Sequence, residues 1–565
     1  MTILQTIKEK IEDFEKTSLE VNPSYAPTLK DIIKLIDLYW VSKFRDGDKD
    51  SSGYKKAFFN IVNYPVEVAS KMIDIDTKDI RIIAEKGQSY WPAWLFEKDL
   101  KIWMKEQKFA RFLNEIVYNW PKYGTVVVKK VREKLFLVPL QNFYVEPTAK
   151  NLENSIYIIE EHDLTLSQLQ KFKGVWENVD KAIEKAEDNH ITVYECFLNI
   201  PGEPYNYWIV SDIGDGIVHV AEKRNELHYK ELHWDKIPGR WLGRGMVERL
   251  FEEQIAINQN ENLFRAGLRW TSKHIFQTRD ETVASNLLTD VEDGDLLIVQ
   301  SEITPIVVEE RNLHAYRESD AKWETNVMRK SFAYDIIRGE RPPAGTPLGT
   351  AILQTKMVSG YFDLKREDLG VFLKEILFDW VIPEFKKQRR AEHILSLGEF
   401  DEFEVDRIKK LVIRKRLNDA ILDYIEREGK LPNFEERRIL EATVKQEVEN
   451  AKEIVIPADF YKDLKYKIDI LITAEQIDMA AKLTTLQTVL QIIGSNPTIL
   501  EDKRTKKIFY RLLDLAGINP MELEFEEEEN PLEVAIQTSK AKRGGSIAKV
   551  SLPIGLTEIP TEVRI

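Results

Sequence analysis

Residues 237–268 read IPGRWLGRGMVERLFEEQIAINQNENLFRAGL. Gly243 and Gly245 close an irregular run, and from there apolar residues recur at helical spacing. Val247, Leu250, Phe251 and Ile255 share one face. The spacing predicts a helix that begins after Gly243 and runs to Phe264 or Leu268. Its other faces carry Gln254, Asn258, Gln259, Asn260 and Asn262. A helix that merely faces water more often uses Glu and Lys, so this amide-rich surface suits packing against polar neighbours, as in a ring of subunits.

Upstream, residues 1–120 read as mostly helical. Leu29, Ile32, Ile33 and Ile36 recur at helical spacing, and a second pattern over 96–117 carries Phe96, Leu100, Trp103 and Met104 behind Trp91 and Trp94. These aromatics read as core. After Tyr123-Gly124 come short β-branched or aromatic runs: TVVVKKV, KLFLVPL, FYVEP, SIYIIEEH, ITVYECFL and YNYWIVS. Residues 125–220 therefore read as an α+β unit, with a short helix at 164–172 and a hairpin turn at DIGDG (212–216).

Downstream, 270–310 reads as a smaller β-containing insert with DLLIV and ITPIVV as strands. A long helix is expected from after Glu309-Glu310-Arg311 to about Ile337. The stretch 338–350, RGERPPAGTPLGT, has three prolines and three glycines and forbids regular structure. Another long helix is expected over 351–381, with Gly360 and Gly370 as bend points and Pro383 as the stop. The final third reads as helical and charged. It ends in an acidic run (Glu522, Glu524, 526–529) and a basic tail (Lys540, Lys542, Arg543) whose composition suits a mobile segment.

The chain has 565 residues, 43% hydrophobic and 31% charged, enough for several domains or one elongated multi-part subunit. The 81 basic against 95 acidic residues give a net charge of -14. That argues against a tight DNA binder, which needs cations to release counterions from the backbone, but not against a conduit in which DNA slides. The single cysteine, Cys196, excludes an intramolecular disulfide framework, and its apolar neighbours place it on a buried strand. The N-terminal stretch becomes charged too early for a secretory signal, and no run approaches the ~18–20 apolar residues of a membrane span. A soluble protein is expected, with no membrane partner.

Catalytic signatures are missing. The sequence has no GxxxxGK[ST], no dinucleotide fingerprint and no HExxH. His228 and His233, the nearest histidine pair, lack a third ligand. Glu160-Glu161-His162-Asp163 is rich in chemistry, but consecutive residues on a strand point to alternate faces and cannot converge. No catalytic residue, metal ligand or cofactor is assigned, and the chain is expected not to be an enzyme.

The order of features is more specific than any motif. A helical N-terminal part leads to a β-rich unit, a long helix, a compact insert, a second long helix, a Pro/Gly loop, a third long helix and a helical C-terminal region. This order resembles the portal (head–tail connector) family of tailed double-stranded DNA phages. FNIVNYPVEVASKMI (59–73), FLNEIVYNWPKYGTVVVKKV (112–131), LFLVPLQNFYVEP (135–147), YIIEEHDLTLSQLQKF (157–172) and residues 237–268 are similar in style to the corresponding portal stretches. The resemblance covers roughly residues 55–390.

The resemblance implies an α+β, portal-like elongated subunit with a helical stem, an α/β wing, a small α/β clip and a helical crown. On this sequence the parts would be a wing over 1–243, stem helices at 244–269 and 312–337 flanking a clip at 270–311, and a tunnel loop at 338–350. A long wing helix at 351–394, a crown at 395–520 and a tail at 521–565 would follow. Gln254, Asn258, Asn262, Trp323 and Val327 would pack between subunits, and Arg338, Glu340, Arg341, Pro342, Pro343 and Thr346 would line the channel. The implied assembly is a ring, dodecameric in the family's virions, at one capsid vertex and assembled in the host cytoplasm. Its partners would be DNA contacted without sequence readout, the terminase large subunit, a head–tail adaptor, and the major capsid and scaffold proteins. Two other readings stay open: another virion structural component, or a metal-dependent nuclease using carboxylates such as Asp290, Asp293 and Asp295.

Overall fold

The computed structural model describes residues 2–19, 26–84, 90–199, 204–273, 275–279, 299–306, 313–332, 348–391, 393–395, 402–450, 454–458, 460–462, 464–470 and 491. All but Gln491 lie in one unit, Met1–Ala474. The channel-loop residues Arg338 to Thr346, the carboxylates Asp290, Asp293 and Asp295, and the C-terminal acidic and basic runs lie outside the described residues.

The N-terminal part is helical, with α1 (Ile3–Lys16), α2 (Leu29–Trp40) and α3 (Asn63–Met72), then strand β1 (Ile80–Ala84), α4 (Tyr90–Glu106) and α5 (Phe109–Tyr123). Thr2 and Thr28 cap the first two helices by accepting from Gln5 and Asp31 backbone N–H groups. The strand region follows as β2 (Thr125–Val131), β3 (Lys134–Val138), β4 (Phe143–Val145) and β5 (Tyr157–Thr165). Helices α6 (Leu166–Gln170) and α7 (Val179–Glu184) separate these from β6 (His190–Leu198), β7 (Tyr205–Ser211), β8 (Ile217–Arg224) and β9 (Tyr229–His233). Thr165 and Gln168 form a capping box that sets where α6 starts.

Strands β4 to β8 make a five-stranded antiparallel sheet in chain order, and β3-β2-β9 make a second, three-stranded one. The two meet through side chains: Lys129 on β2 and Tyr229 on β9 reach Glu160 on β5. Cys196 is fully buried on β6, where burial and then the neighbouring Glu195 charge push its thiol pKa up. A buried, protonated thiol is inert, as its apolar neighbours suggested.

Next come α8 (Met246–Arg249), α9 (Phe251–Thr271), a two-stranded ladder of β10 (Ile275–Gln277) and β11 (Thr304–Ile306), and α10 (Leu313–Ser331). The helix expected from Gly243 is thus two helices, kinked at Leu250. DLLIV falls almost wholly outside the described residues. Helix α11 (Leu348–Ile376) passes through a π-helical turn at Leu377–Val381 into α12 (Ile382–Gln388). Pro383 therefore does not stop the helix. It sits in the first turn of α12, where a missing N–H costs little, and the extra residue of the π turn accommodates it.

The final third is not purely helical. Helices α13 (Glu402–Glu428) and α14 (Phe434–Asn450) are accompanied by β12 (His393–Leu395), β13 (Ile454–Ile456) and β14 (Tyr466–Ile470). β12 pairs with β13, and β14 pairs antiparallel with β1, from Ile80 with Ile470 to Ala84 with Tyr466. This returns the chain to its N-terminal part. Most buried apolar residues form one continuous core, while Trp94, Leu95, Ile408, Val412, Val448 and Ile456 form a smaller one.

Candidate functional site

The α9–α10 pair is the candidate, and its root is fixed first. Gly124 ends α5 in the left-handed conformation at φ +78°, a C-cap that only glycine adopts without strain. The backbone of Gly243–Gly245 lies directly against it. A Cβ on Gly245 would stand 2.6 Å from Gly124 N, and one on Gly124 would strike the Gly245 backbone. Two of the quoted stretches, more than a hundred residues apart in sequence, thus touch backbone to backbone.

Beside this contact, Arg240 and Glu248 form a fully buried bidentate pair, Nη1 to Oε1 at 2.7 Å and Nη2 to Oε2 at 2.6 Å. The Nε–H and the other Nη2–H donate to the carbonyls of Leu242 and Gly243. With four of its five N–H donors engaged, the buried arginine braces the turn that aims α8 and α9. Thr125 adds a further brace by accepting from Gly243 N at 2.7 Å.

Along α9 the amides expected to face another subunit are engaged within this chain. Asn262 accepts from Ala57 N (2.8 Å) and donates to Ala57 O (3.0 Å). Asn258 accepts from Phe59 N (2.9 Å), and Gln254 donates to Phe59 O (2.7 Å) and accepts from Ile61 N (3.0 Å). Positions 254, 258 and 262 repeat every four residues on a helix and positions 57, 59 and 61 every two along an extended chain, so the two rows match. The amides act as a partner strand for a segment that belongs to no sheet.

α10 runs antiparallel to α9. Lys330 lies 2.6 Å from Glu253, Asn260 donates to Ser319 and Asp320, and Arg317 stacks over Phe264 at 5.3 Å. Val327 is buried and Trp323 half-buried against the same core. A cavity of about 1020 Å³ lies between residues 44–56 and the second half of α9. There Arg269 sits 4.1 Å above the Tyr54 ring and 3.2 Å from Asp50. Desolvation pushes the Asp50 carboxyl up, but hydrogen bonds from Tyr54 and Ser52 and the Arg269 charge win, holding it below its ordinary value.

A second polar cluster lies between the sheets. Glu160 and His162 are two residues apart on β5 and so share a face, and Glu195 joins them from β6. The run thought unable to converge does so through its alternate members. His162 Nε2 stands 3.6 Å from Glu160 and 3.5 Å from Glu195. The position between the carboxylates is held by Lys129, whose Nζ is 2.6 Å from Glu160 and 2.5 Å from Glu195. His228 Nε2 and Tyr207 OH donate to the other Glu195 oxygen, and Tyr229 OH donates to Glu160. Burial pushes Glu195 up, but His162, His228 and Lys129 together outweigh it and hold its carboxyl well below the usual range. Burial lowers Lys129, yet its two carboxylates win and raise it. These groups have ligand chemistry for a cation, and the lysine ammonium sits where that cation would, so the cluster reads as a structural pin.

No protein-family model and no curated protein matches the chain. Among solved structures, a chain from the neck of an empty GTA particle, computed with C6 symmetry, is similar to 77% of this chain over 98% of its own length. The identity is 10% and the TM-score 0.34. No helix among the described residues is long and apolar enough to cross a membrane.

Proposed function

We propose that this chain is a structural subunit of a tailed-phage-type particle, and specifically a portal subunit. It assembles into a ring through which double-stranded DNA passes during packaging and ejection. The observation that carries the reading is the antiparallel α9–α10 pair, bracketing the small β10–β11 ladder and rooted by the Gly124–Gly245 contact in an α+β body. Such a pair is a stem with a small domain at its tip. Rotational repetition of stems builds a tube, provided that the contact between neighbours closes on itself.

In this reading the role is non-catalytic and needs no cofactor. The ladder between α9 and α10 is offered to the terminase large subunit and later to a head–tail adaptor, while major capsid and scaffold proteins surround the body. The stretch from Arg338 to Thr346, ahead of α11, is assigned to the DNA channel, and the net acidic chain keeps sliding DNA from sticking. Negative-stain electron microscopy of the purified chain, with its mass in solution, tests the proposal. Rings of about a dozen copies with a hole wide enough for a duplex are expected. A compact species with metal-dependent cleavage of DNA overturns it.

A further inference from the structure

Strand β3 is an open edge. It pairs with β2 alone, and the phase of that pairing is fixed from the far side, where Lys130 N donates to His228 O at 3.0 Å, toward β9. In an antiparallel sheet a residue of the middle strand bonds one neighbour or the other. Leu135, opposite Lys130, therefore turns its own N–H and C=O away from β2. Leu137, two residues on, does the same. Among the described residues no group bonds these backbone atoms. The outer edge of β8 is closed by contrast, since Glu177 N donates to His219 O and Asn178 Nδ2 to Val218 O, each at 3.0 Å.

Two cavities lie in line between β3 and α5. The larger, about 450 Å³, is lined by Leu135, Phe109, Phe112 and Trp380, and the smaller, about 220 Å³, by Leu137, Leu140 and Val126. Glu115 on α5 borders both. Leu135 and Leu137 share one face of β3 about 7 Å apart, the side-chain repeat of a strand. An extended segment laid along β3 would bond the open backbone groups and place alternate side chains in the two cavities, the mode of β-strand addition. The charges select further. Of the acidic residues bordering the larger cavity, Glu106, Glu115 and Glu384 already face Arg389, Arg111 and Lys387. Among the described residues no carboxylate faces Lys108, Lys130 or Lys134, so Glu133 stands alone against three ammonium groups. That surplus favours an acidic occupant, and pairing with β3 of a second copy would double it.

We infer that the groove between β3 and α5 takes an extended segment of another protein, with apolar side chains two residues apart and acidic ones between them. Backbone bonds to Leu135 and Leu137 hold the segment, the two cavities select its apolar pair, and the lysines reject basic sequences. The site stands on the edge and the groove alone, so it is tested apart from ring formation.

The test titrates the full chain into a fluorescent, N-acetylated peptide, Thr-Glu-Phe-Glu-Leu-Glu-Thr, read by anisotropy. Binding that saturates below about 1 mM is expected, and none by that concentration overturns the proposal. Two further peptides carry N-methyl groups on alternate residues, one on Phe and Leu, the other on the Glu residues. An added strand turns every second N–H toward β3, so one phase should lose affinity about tenfold or more while the other keeps it. Equal effects in the two phases overturn strand addition, whatever the behaviour of any protein variant. Leu135→Pro deletes an N–H that points outward, and it is expected to weaken binding about tenfold. Lys108→Glu with Lys134→Glu is expected to weaken it about fivefold, with circular dichroism confirming each fold. Folded variants that bind like the wild type overturn the site. Sedimentation without peptide covers the other occupant: self-association that the peptide abolishes assigns the edge to a second copy and overturns the choice of another protein.

Discussion

The two halves of α9 are fixed by opposite means. Its root, from Gly245 to Asn258, sits in a dry setting: a glycine-to-glycine backbone contact, a fully buried Arg240–Glu248 pair, and the buried side chains of Phe251 and Ile257. Its outer half is held by Asn262 on Ala57 and by polar contacts to α10, and it leaves Leu263, Leu268 and Trp270 in solvent. Close backbone packing tolerates no change of volume, whereas side-chain hydrogen bonds near solvent yield locally. The difference teaches that orientation is set at the root, while the outer half can yield without disturbing it.

The largest effect expected from breaking this contrast comes at Gly124. Gly124→Ala needs both a left-handed alanine and movement of the Gly245 backbone, so a loss above about 4 kcal/mol is expected, measured by urea unfolding. Gly360→Ala is the matched control. Gly360 lies inside α11 with nothing within 4 Å of a new Cβ, and the same substitution there is expected to stabilise by up to about 1 kcal/mol. Equal effects at the two glycines would show that the close approach at the root carries no energy.

Lys129→Met probes a different root, the one between the sheets. It leaves Glu160 and Glu195 buried without their cation, and a loss of about 3–5 kcal/mol is expected. The wild-type pH dependence has a defined sign. Glu195 has a lowered folded-state pKa, so its stabilisation is present above the ordinary carboxylate range and is lost as pH falls through the lower folded value. Lys129 has a raised one, so its contribution is complete below the ordinary lysine range and is lost only as pH rises through the higher folded value. Thermal melting from pH 3 to 7 should fall on the acid side in the wild type, with a shallower slope once Lys129 is gone. An unchanged slope would remove Glu195 from the account of acid sensitivity.

Much of this was legible in the sequence, and the exceptions have physical causes. The strands from Thr125 to Ser211 and the burial of Leu29, Ile32, Ile33, Phe96 and Trp103 follow from periodicity, because each residue's fate depends on neighbours within one or two turns. β14 was not legible: YKIDI is five residues long, and its partner β1 lies almost the length of the described chain away. Pro383 misled because a π turn rephases the helix before it, and nothing in the composition announces a π turn. The amides of Gln254, Asn258 and Asn262 were expected to pack between subunits, and within this chain they bond the segment 57–61. The sequence carried no sign that their partners are backbone groups of 57–61, since an extended segment outside any sheet has no periodicity of its own. The Glu160–His162 convergence needed only the alternate-residue rule, but Glu195 and Lys129 enter through sheet pairing.

Weakening the amide row has a smaller, local effect. Asn258→Ala removes the acceptor for Phe59 N, and a loss of about 1–2 kcal/mol is expected. Hydrogen exchange should quicken at Ala57, Phe59 and Ile61 while the core of the five-stranded sheet keeps its protection. Uniform quickening across the protein would mean that the segment unfolds only with the whole.

The smallest expected effect falls at the far end of the comparison. Trp270 is 57% exposed at the edge of the cavity, with Lys273 4.5 Å above its ring. Trp270→Ser should therefore change unfolding by no more than about 0.5 kcal/mol, the range of surface substitutions away from special features. An indole left that open is costly to keep in water unless another surface covers it, so its loss should register in association rather than in folding. Comparing urea unfolding at low concentration with sedimentation at high concentration separates the two. A large loss of stability in the isolated subunit would place Trp270 with the root of α9 and erase the contrast between its halves.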